Sequence, residues 1–342
     1  MEMSTSIMSS LAAAIGPTIL YVMVVWSLDR YEKEPIWLAS VAFLWGALPA
    51  VIISFVMEYA LEVPGQGTGQ VLADLIEAGL AAPIIEEGAK ALVLLGIYAF
   101  ASREFDDPLD GIVYGALVGF GFGMTENAIY FISNAMEGSP VDQQLLVLMR
   151  SVVFGLNHAF FTSLTGVSLG YARLNRTRWK RRLIFIAGFS SAVLFHVIHN
   201  TFASLAEYVC LSLGVSVLSQ IGGLLVLVVI VFLAWAREKE WLERQLVEEV
   251  EAGLITREQY EIVGSYRQRI QTRWRALRQS GWGSYGRWGR MFKLATELAF
   301  VKERRETRGG ERGIDGRISR LKEEIRGLAS QLGALPRADG NS

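Results

Sequence analysis

Cysteine and histidine are both scarce in this 342-residue chain. The single cysteine, Cys210, excludes an intrachain disulfide and any metal site built from several cysteines. The three histidines, His158, His196 and His199, all lie inside long apolar runs, and the polar C-terminal third has none. An ionisable group at membrane depth is costly, so it is retained where it pairs, lines a wet cavity or takes part in chemistry. This distribution predicts an intramembrane site.

Several common catalytic motifs are missing as well. The sequence contains no His-Glu-x-x-His zinc helix, and no pair of aspartates lies in the middle of an apolar run. The stretch from Gly188 to Ser191 lacks the closing glycine of a serine-nucleophile elbow. These absences disfavour three mechanisms, those that use a zinc helix, an aspartic pair or a nucleophilic serine.

Hydrophobic residues make up 51% of the chain and are concentrated in residues 7–236. The sequence therefore predicts a transmembrane domain at residues 1–236 and a basic, mostly helical soluble tail at residues 237–342. The apolar runs are long enough to cross a hydrocarbon core of roughly 30 Å, which predicts an all-α polytopic bundle of about seven transmembrane helices. The predicted spans are 7–28, 36–57, 78–100, 109–134, 145–172, 183–209 and 211–236.

Lys and Arg are unevenly distributed between the predicted loops. The N-terminal segment and the loops at 58–77 and 135–144 have none, whereas the alternate loops carry nine. These nine are Arg30, Lys33, Arg103, Arg173, Arg176, Arg178, Lys180, Arg181 and Arg182. The positive-inside rule then places the N-terminus outside and the tail in the cytoplasm.

The tail carries 22 Lys and Arg against 16 Asp and Glu. Thr256 is predicted to cap a short helix, and the apolar stripe in residues 318–332 predicts another helix. The Gly, Ser and Trp residues of 281–289 predict a loop. The basic stretch 267–290 with its interleaved tryptophans is consistent either with contact to anionic lipid headgroups or with a solvated helix pair. No motif supports nucleic-acid binding.

The third predicted span contains Glu86, Glu87 and Lys90. In a helix, Lys90 lies at i+4 from Glu86 and at i+3 from Glu87, so it can neutralise either carboxylate. The two glutamates point about 100° apart, so one can face a cavity while the other is paired. A structural ion pair is the alternative reading, but a single lysine leaves one carboxylate in excess, which favours a functional site.

The fourth predicted span combines a stripe of small residues with a carboxylate. Gly115, Gly119 and Gly123 recur every four residues, a pattern that lets another helix pack closely. Glu126 and Asn127 follow within one turn. Glu126 is either part of a site or a protonated acid that is hydrogen-bonded to a backbone carbonyl.

The fifth and sixth predicted spans contribute His158, His196 and Asn200. His196 and Asn200 are four residues apart and share one helix face. At 1.5 Å per residue, Glu87, Glu126, His158 and His196 lie roughly 12–20 Å below the outer surface. An isolated histidine in a helix is more often a packing residue, but this agreement in depth favours a shared site.

Carboxylates and imidazoles in a wet membrane pocket fit peptide hydrolysis. A carboxylate can take a proton from water, and an imidazole or amide can stabilise the developing oxyanion. His and Glu also suit a zinc-like ion, which would lower the pKa of a bound water.

A proton- or ion-coupled transporter is the main alternative, because Glu and His chains also serve as proton relays. The Glu-Glu-x-x-Lys segment has no second copy, whereas transporters often contain internal repeats. An inactive scaffold with a partner-binding tail is a further alternative.

Four short motifs follow one another in order along the chain, the last three on separate predicted spans. They are the charged segment 29–35, Glu86-Glu87-x-x-Lys90, Phe122-x-x-x-Glu126-Asn127, and His158 followed by His196-x-x-x-Asn200. As an ordered set they resemble the PrsW family of intramembrane proteases, which is related to the bacterial CAAX-protease-like membrane proteins. His199 departs from the pattern, since an aromatic residue is expected there, and the tail lies outside the resemblance.

The resemblance implies an intramembrane endopeptidase that cleaves single-span membrane proteins, such as anti-sigma factors, in a bacterial inner membrane. It implies either a metalloprotease or a metal-independent glutamate protease. Glu87 or Glu86 would activate water, His158 and His196 would be metal ligands or oxyanion donors, and Glu126 and Asn200 would orient them. A divalent metal, if used, would be bound by Glu87, His158 and His196.

Overall fold

The structure is a computed structural model that describes residues 2–31, 33–61, 75–102, 104–308 and 313–332. Within these ranges the secondary structure is helical and no β-strand occurs, so the all-α prediction is confirmed. The α-helices are α1 (Glu2–Leu28), α2 (Ile36–Trp45), α3 (Val51–Ala60), α4 (Ala82–Phe100), α5 (Pro108–Glu137), α6 (Pro140–Val147), α7 (Asn157–Arg173), α8 (Arg178–Ser204), α9 (Ser212–Glu251), α10 (Arg257–Gly264), α11 (Tyr266–Arg308) and α12 (Ile314–Leu332). The π-helical segments are Gly46–Ala50, Glu77–Ala81 and Leu148–Val153.

Six helical segments in the described part of the chain are long and apolar enough to cross a membrane. They are Ser4–Leu28, Ile36–Ala60, Pro108–Met136, Pro140–Arg173, Arg178–Ser204 and Ser212–Glu251. The prediction of a multi-pass helix bundle is therefore confirmed. The predicted third span is helical too, but Glu86, Glu87 and Lys90 in its middle make it more charged than the other six.

The chain divides into two compact units. The first comprises Met1–Asp29 and Glu34–Val231, and the second comprises Arg30–Lys33 and Phe232–Ser342. In the first unit, α5 packs against α1, α2 and α7. Its buried side chains, among them Tyr114, form an apolar core with residues of α2 and α4.

Close packing between α5 and α7 depends on the glycines of α5. A Cβ atom on Gly115 would lie 2.7 Å from the main chain of Thr162 and Ser163, and a Cβ on Gly119 would collide with the main chain of His158. The prediction that the glycine stripe admits a neighbouring helix is thus confirmed. Because Gly119 and Gly123 both face His158, the stripe also determines where this imidazole lies.

The second unit has its own apolar core. Thr256 caps α10, since its Oγ1 accepts a hydrogen bond from the Gln259 backbone at 3.1 Å, as predicted. The predicted apolar stripe of α12 is buried at Ile318, Leu321, Ile325 and Leu328 and partly buried at Leu332. Ile314, which precedes the stripe, is buried as well.

The prediction of a loop at residues 281–289 is wrong. This segment belongs to α11, and the helix is broken only at Gly281, where φ is 74°. Trp288 and Met291, which follow the break, are 2% and 0% exposed in the core of this unit. Burial of such large apolar side chains outweighs the modest cost of several glycines in a helix.

Candidate active site

Lys90 lies at the centre of a buried polar cluster. Its side chain is 0% exposed, and its Nζ lies 3.0 Å from Glu86 Oε2, 2.9 Å from Glu87 Oε1 and 3.1 Å from His158 Nδ1. The ring of Phe122 lies against the ammonium at 3.8 Å. Both carboxylates therefore pair with the same side chain.

Glu87 is the paired carboxylate of α4. Its Oε1 accepts hydrogen bonds from Lys90 and from His196 Nδ1, the latter at 3.1 Å, and its Oε2 accepts one from Thr162 Oγ1 at 3.1 Å. The residue is 1% exposed. Glu87 thus connects α4 to α7 and α8. A neutral His196 would carry its proton on Nδ1, which leaves Nε2 as an acceptor that faces Glu86.

Glu86 is the carboxylate that borders open space. It lines a cavity of about 470 Å³ together with Glu126 and Asn200. Its Oε2 lies 3.9 Å from His158 Nδ1 and 3.8 Å from His196 Nε2. The two adjacent glutamates therefore divide their roles as the sequence allowed, with one facing a cavity and the other paired.

Glu126 connects the cluster to an arginine. Its Oε2 lies 2.7 Å from His158 Nε2 and 2.8 Å from a guanidinium nitrogen of Arg150. Arg150 Nε also donates to Asn127 Oδ1 at 2.9 Å. Sequence reasoning missed Arg150, although the signal was present, since Lys90 and Arg150 are the only Lys or Arg residues inside the seven predicted spans.

Aromatic rings hold the two histidines in place. Phe161 stacks on His196 with ring centroids 4.7 Å apart and planes 21° apart. The rings of His158 and His196 lie 5.2 Å apart and are nearly perpendicular. His196 is 1% exposed, so its orientation is fixed by packing on one side and by Glu87 on the other.

Glu86, His158 and His196 form a group that could hold a metal ion. One ligand atom from each lies within 4.8 Å of the others. One carboxylate oxygen and two imidazole nitrogens suit a zinc-like ion. The set expected from the sequence contained Glu87, whereas the structure places Glu86 between the two imidazoles. Lys90 competes for this position because it contacts both Glu86 Oε2 and His158 Nδ1.

Asn200 and His199 lie at the edge of the cluster. Asn200 Nδ2 donates to the carbonyl of Ala78 at 2.9 Å, and the residue borders the same cavity as Glu86. His199 Nδ1 lies 2.5 Å from Ser216 Oγ, and its ring packs on Phe154 at 4.6 Å. Five of the six residues predicted for the site are linked by hydrogen bonds or ion pairs, directly or through Lys90. The sixth, Asn200, borders the cavity that Glu86 lines.

The chain is similar to known membrane proteases. A sequence profile of the PrsW family intramembrane metalloproteases matches residues 34–236, which is more than half of the chain. The proteins named Protease PrsW from Oceanobacillus iheyensis and Geobacillus kaustophilus are 31% and 30% identical over 193 and 192 residues. Each alignment covers 56% of this chain, and 82% and 78% of the respective relative. Protease PrsW of Bacillus subtilis is 30% identical over 173 residues, or 49% of this chain and 73% of that protein. No solved structure matches.

Proposed function

The chain belongs to the PrsW family of intramembrane metalloproteases and is an intramembrane protease, and from this premise we propose that Glu86 is the base that activates the hydrolytic water. The transporter alternative is not favoured, because the relatives are proteases. The observation that carries the proposal is the position of Glu86, at a cavity edge and less than 4 Å from two imidazoles.

Hydrolysis requires a base next to the water and a fixed environment around it. Glu86 would take a proton from water while the water oxygen bonds to the substrate carbonyl carbon. As the carbon–nitrogen bond breaks, that proton goes to the departing nitrogen, which leaves a carboxylic acid and an amine. Glu87 would act as a positioning residue that fixes Lys90 and His196. Glu126 would orient His158, and Asn200 would hold the cavity edge.

The donor atoms of Glu86, His158 and His196 fit the divalent metal that the family name implies, both in type and in spacing. When bound, such an ion would supply an acidified water and polarise the substrate carbonyl. Lys90 shares two of the three donors, so an ion and the ammonium would compete for them.

The substrate we infer is a single-span membrane protein of the anti-sigma-factor type. Glu86, Glu126 and His196 lie on helices whose length suits the membrane interior, so a peptide bond within or beside a membrane segment can reach them. We infer a bacterial inner-membrane protein, and the distribution of Lys and Arg between its loops supports a topology with the N-terminus outside and the tail in the cytoplasm.

The tail offers a surface for anionic lipid headgroups. Residues 262–296 contain eight Lys or Arg and no Asp or Glu. Trp282 and Trp274 in this stretch are 75% and 53% exposed, whereas Trp288 is buried in the core of the second unit. Exposed tryptophans among cations are typical of contact with an anionic membrane surface.

The proposed function is tested by co-reconstituting the full chain with a purified single-span membrane protein in vesicles. We expect the wild-type protein to cleave this partner and Glu86→Gln to leave it intact while still inserting and folding. Undiminished cleavage by Glu86→Gln would contradict the proposed role of Glu86. Absence of cleavage by the wild-type protein across a panel of such partners would contradict the proposed substrate class.

A further inference from the structure

Arg150 is the only arginine inside the seven predicted spans, and its guanidinium makes three contacts with one turn of α5. A guanidinium nitrogen lies 2.8 Å from Glu126 Oε2, and Nε donates to Asn127 Oδ1 at 2.9 Å. The guanidinium carbon lies 4.0 Å from the centre of the Tyr130 ring. A cation at membrane depth is costly and is retained where it pairs or serves a function. These contacts hold the charge of Arg150 at one place beside the cluster.

The segment that carries Arg150 is π-helical. It comprises Leu148–Val153, and the N–H of Phe154 donates to the carbonyl of Met149, five residues earlier, at 2.8 Å. One extra residue in a turn changes the direction of the side chains around it. Such segments are rare and occur frequently at functional sites. The local backbone therefore supports a specific orientation of Arg150.

The contacts of His158 distinguish its two ring nitrogens. Nε2 lies 2.7 Å from Glu126 Oε2, and Nδ1 lies 3.1 Å from Lys90 Nζ. A guanidinium can only donate, so Glu126 Oε2 accepts from Arg150, and this oxygen can accept a second hydrogen bond from Nε2–H. In a neutral imidazole, a proton on Nε2 leaves the lone pair on Nδ1. Nδ1 is the nitrogen that lies 3.9 Å from Glu86 Oε2.

We propose that Arg150 is a positioning residue that holds Glu126 Oε2 against His158 Nε2 and thereby keeps the lone pair of His158 on Nδ1, toward Glu86. A ring nitrogen binds an ion or accepts a hydrogen bond only through its lone pair. Histidines that bind metals almost always donate the other ring N–H to a carboxylate, a carbonyl or water, and loss of that partner costs about 10–100-fold in metal affinity or activity. This inference deepens the proposed function and rests on it.

The test observes the ring protons directly by nitrogen NMR of the full chain in nanodiscs. The chain has three histidines, so histidine labelling gives signals from three rings, and His158→Gln identifies those of His158. The chemical shift separates a protonated from an unprotonated ring nitrogen. In the wild-type protein we expect the proton of His158 on Nε2. In Arg150→Met we expect signals of both proton positions, because Glu126 is no longer held, and a kcat lower by about tenfold or more.

Arg150→Lys separates the contact with Glu126 from the contact with Asn127. A lysine can still donate to Glu126, but it cannot also make the hydrogen bond that Nε makes to Asn127. We expect Arg150→Lys to keep the proton of His158 on Nε2 and to recover most of the kcat that Arg150→Met loses. A role in packing alone would not predict this recovery.

Arg173→Met is the matched control for loss of a clamping arginine. Arg173 Nε donates to the carbonyl of Phe105 at 3.1 Å, and its guanidinium carbon lies 3.8 Å from the centre of the Tyr98 ring. It therefore makes the same kinds of contact as Arg150, but with residues outside the cluster. We expect Arg173→Met to lower Tm and to leave the ring protons of His158 and kcat unchanged.

The outcomes separate this inference from the proposed function. A wild-type proton on Nδ1 of His158, or a spectrum of Arg150→Met identical to that of the wild type, would overturn the inference. Equal loss of kcat in Arg150→Lys and Arg150→Met would overturn it as well, because the charge beside Glu126 would then not matter. Ring protons that follow the expected pattern in a protein that cleaves no membrane partner would support the positioning of His158 and contradict the proposed function.

Discussion

Glu86 and Glu87 are adjacent, but replacing each by glutamine is expected to have different consequences. Glutamine keeps the shape of the side chain and removes the negative charge. Glu86 faces a cavity and accepts a hydrogen bond from Lys90 at 3.0 Å. Glu87 is 1% exposed and accepts hydrogen bonds from Lys90, His196 and Thr162.

The expected magnitudes follow from these contacts. Loss of a general base lowers kcat by about 10²–10⁴-fold, so Glu86→Gln is expected to fall in that range. Its glutamine oxygen can still accept from Lys90, so its cost in stability is about 1 kcal/mol. Glu87→Gln weakens several charged hydrogen bonds in a buried network and is expected to destabilise the protein by about 3 kcal/mol. Its activity should fall too, because His196 loses its anchor.

The assay pairs cleavage kinetics of a quenched-fluorescent single-span peptide in proteoliposomes with thermal unfolding of the same preparations. Glu261→Gln is a matched control, since Glu261 also pairs with a cation within one helical turn, Arg257, but is 59% exposed. We expect neither Tm nor kcat to change in this control. If Glu86→Gln lowered Tm as much as Glu87→Gln while kcat stayed at the wild-type value, the two glutamates would be equivalent structural partners of Lys90 and the reasoning would fail.

Three further predictions follow from the packing, the cation and the tail. Gly119→Ala should displace His158 and lower kcat about tenfold or more, since even small misplacements of catalytic groups are costly. Gly96→Ala is the control and should be neutral, because its Cβ meets open space. Equal activity of the two variants would contradict this prediction. Lys90→Met should raise the zinc affinity of the purified protein about tenfold or more in calorimetry, because a positive charge at ligand distance is removed; unchanged affinity would show that the ammonium does not compete. In nanodiscs, anionic lipid should protect the backbone around Trp282 from hydrogen exchange more than zwitterionic lipid does, and Trp282→Ala should reduce this protection; equal exchange in both lipids would exclude the lipid surface.

The sequence predicted the composition of the cluster well because depth in a membrane is a strong constraint. Helices that cross a bilayer have nearly fixed lengths, so residue counts alone place Glu126 and His158 at compatible levels. The structure brings these two side chains to 2.7 Å. The glycine stripe added the lateral position, because it lets α7 approach α5 closely.

Contacts between neighbouring helices determine the features of the site that the sequence did not predict. Which of two adjacent glutamates faces a cavity depends on the helix that lies beside each, and periodicity does not contain this information. Arg150 pairs with Glu126 across 24 residues, and the loop charges that predict the topology do not include it. Asn200 shares a helix face with His196, yet its Nδ2 donates one hydrogen bond to the Ala78 carbonyl. In the tail, burial of Trp288 overrode a local glycine pattern that is typical of loops.

Mass spectrometry of the cleavage products tests the central claim most directly. A single-span membrane protein is incubated in vesicles with the wild-type chain and, in parallel, with Glu86→Gln, and the new termini are identified. The account predicts a new terminus within or beside the membrane segment with the wild-type protein and none with Glu86→Gln. The same terminus formed at the wild-type rate by a folded Glu86→Gln would contradict it.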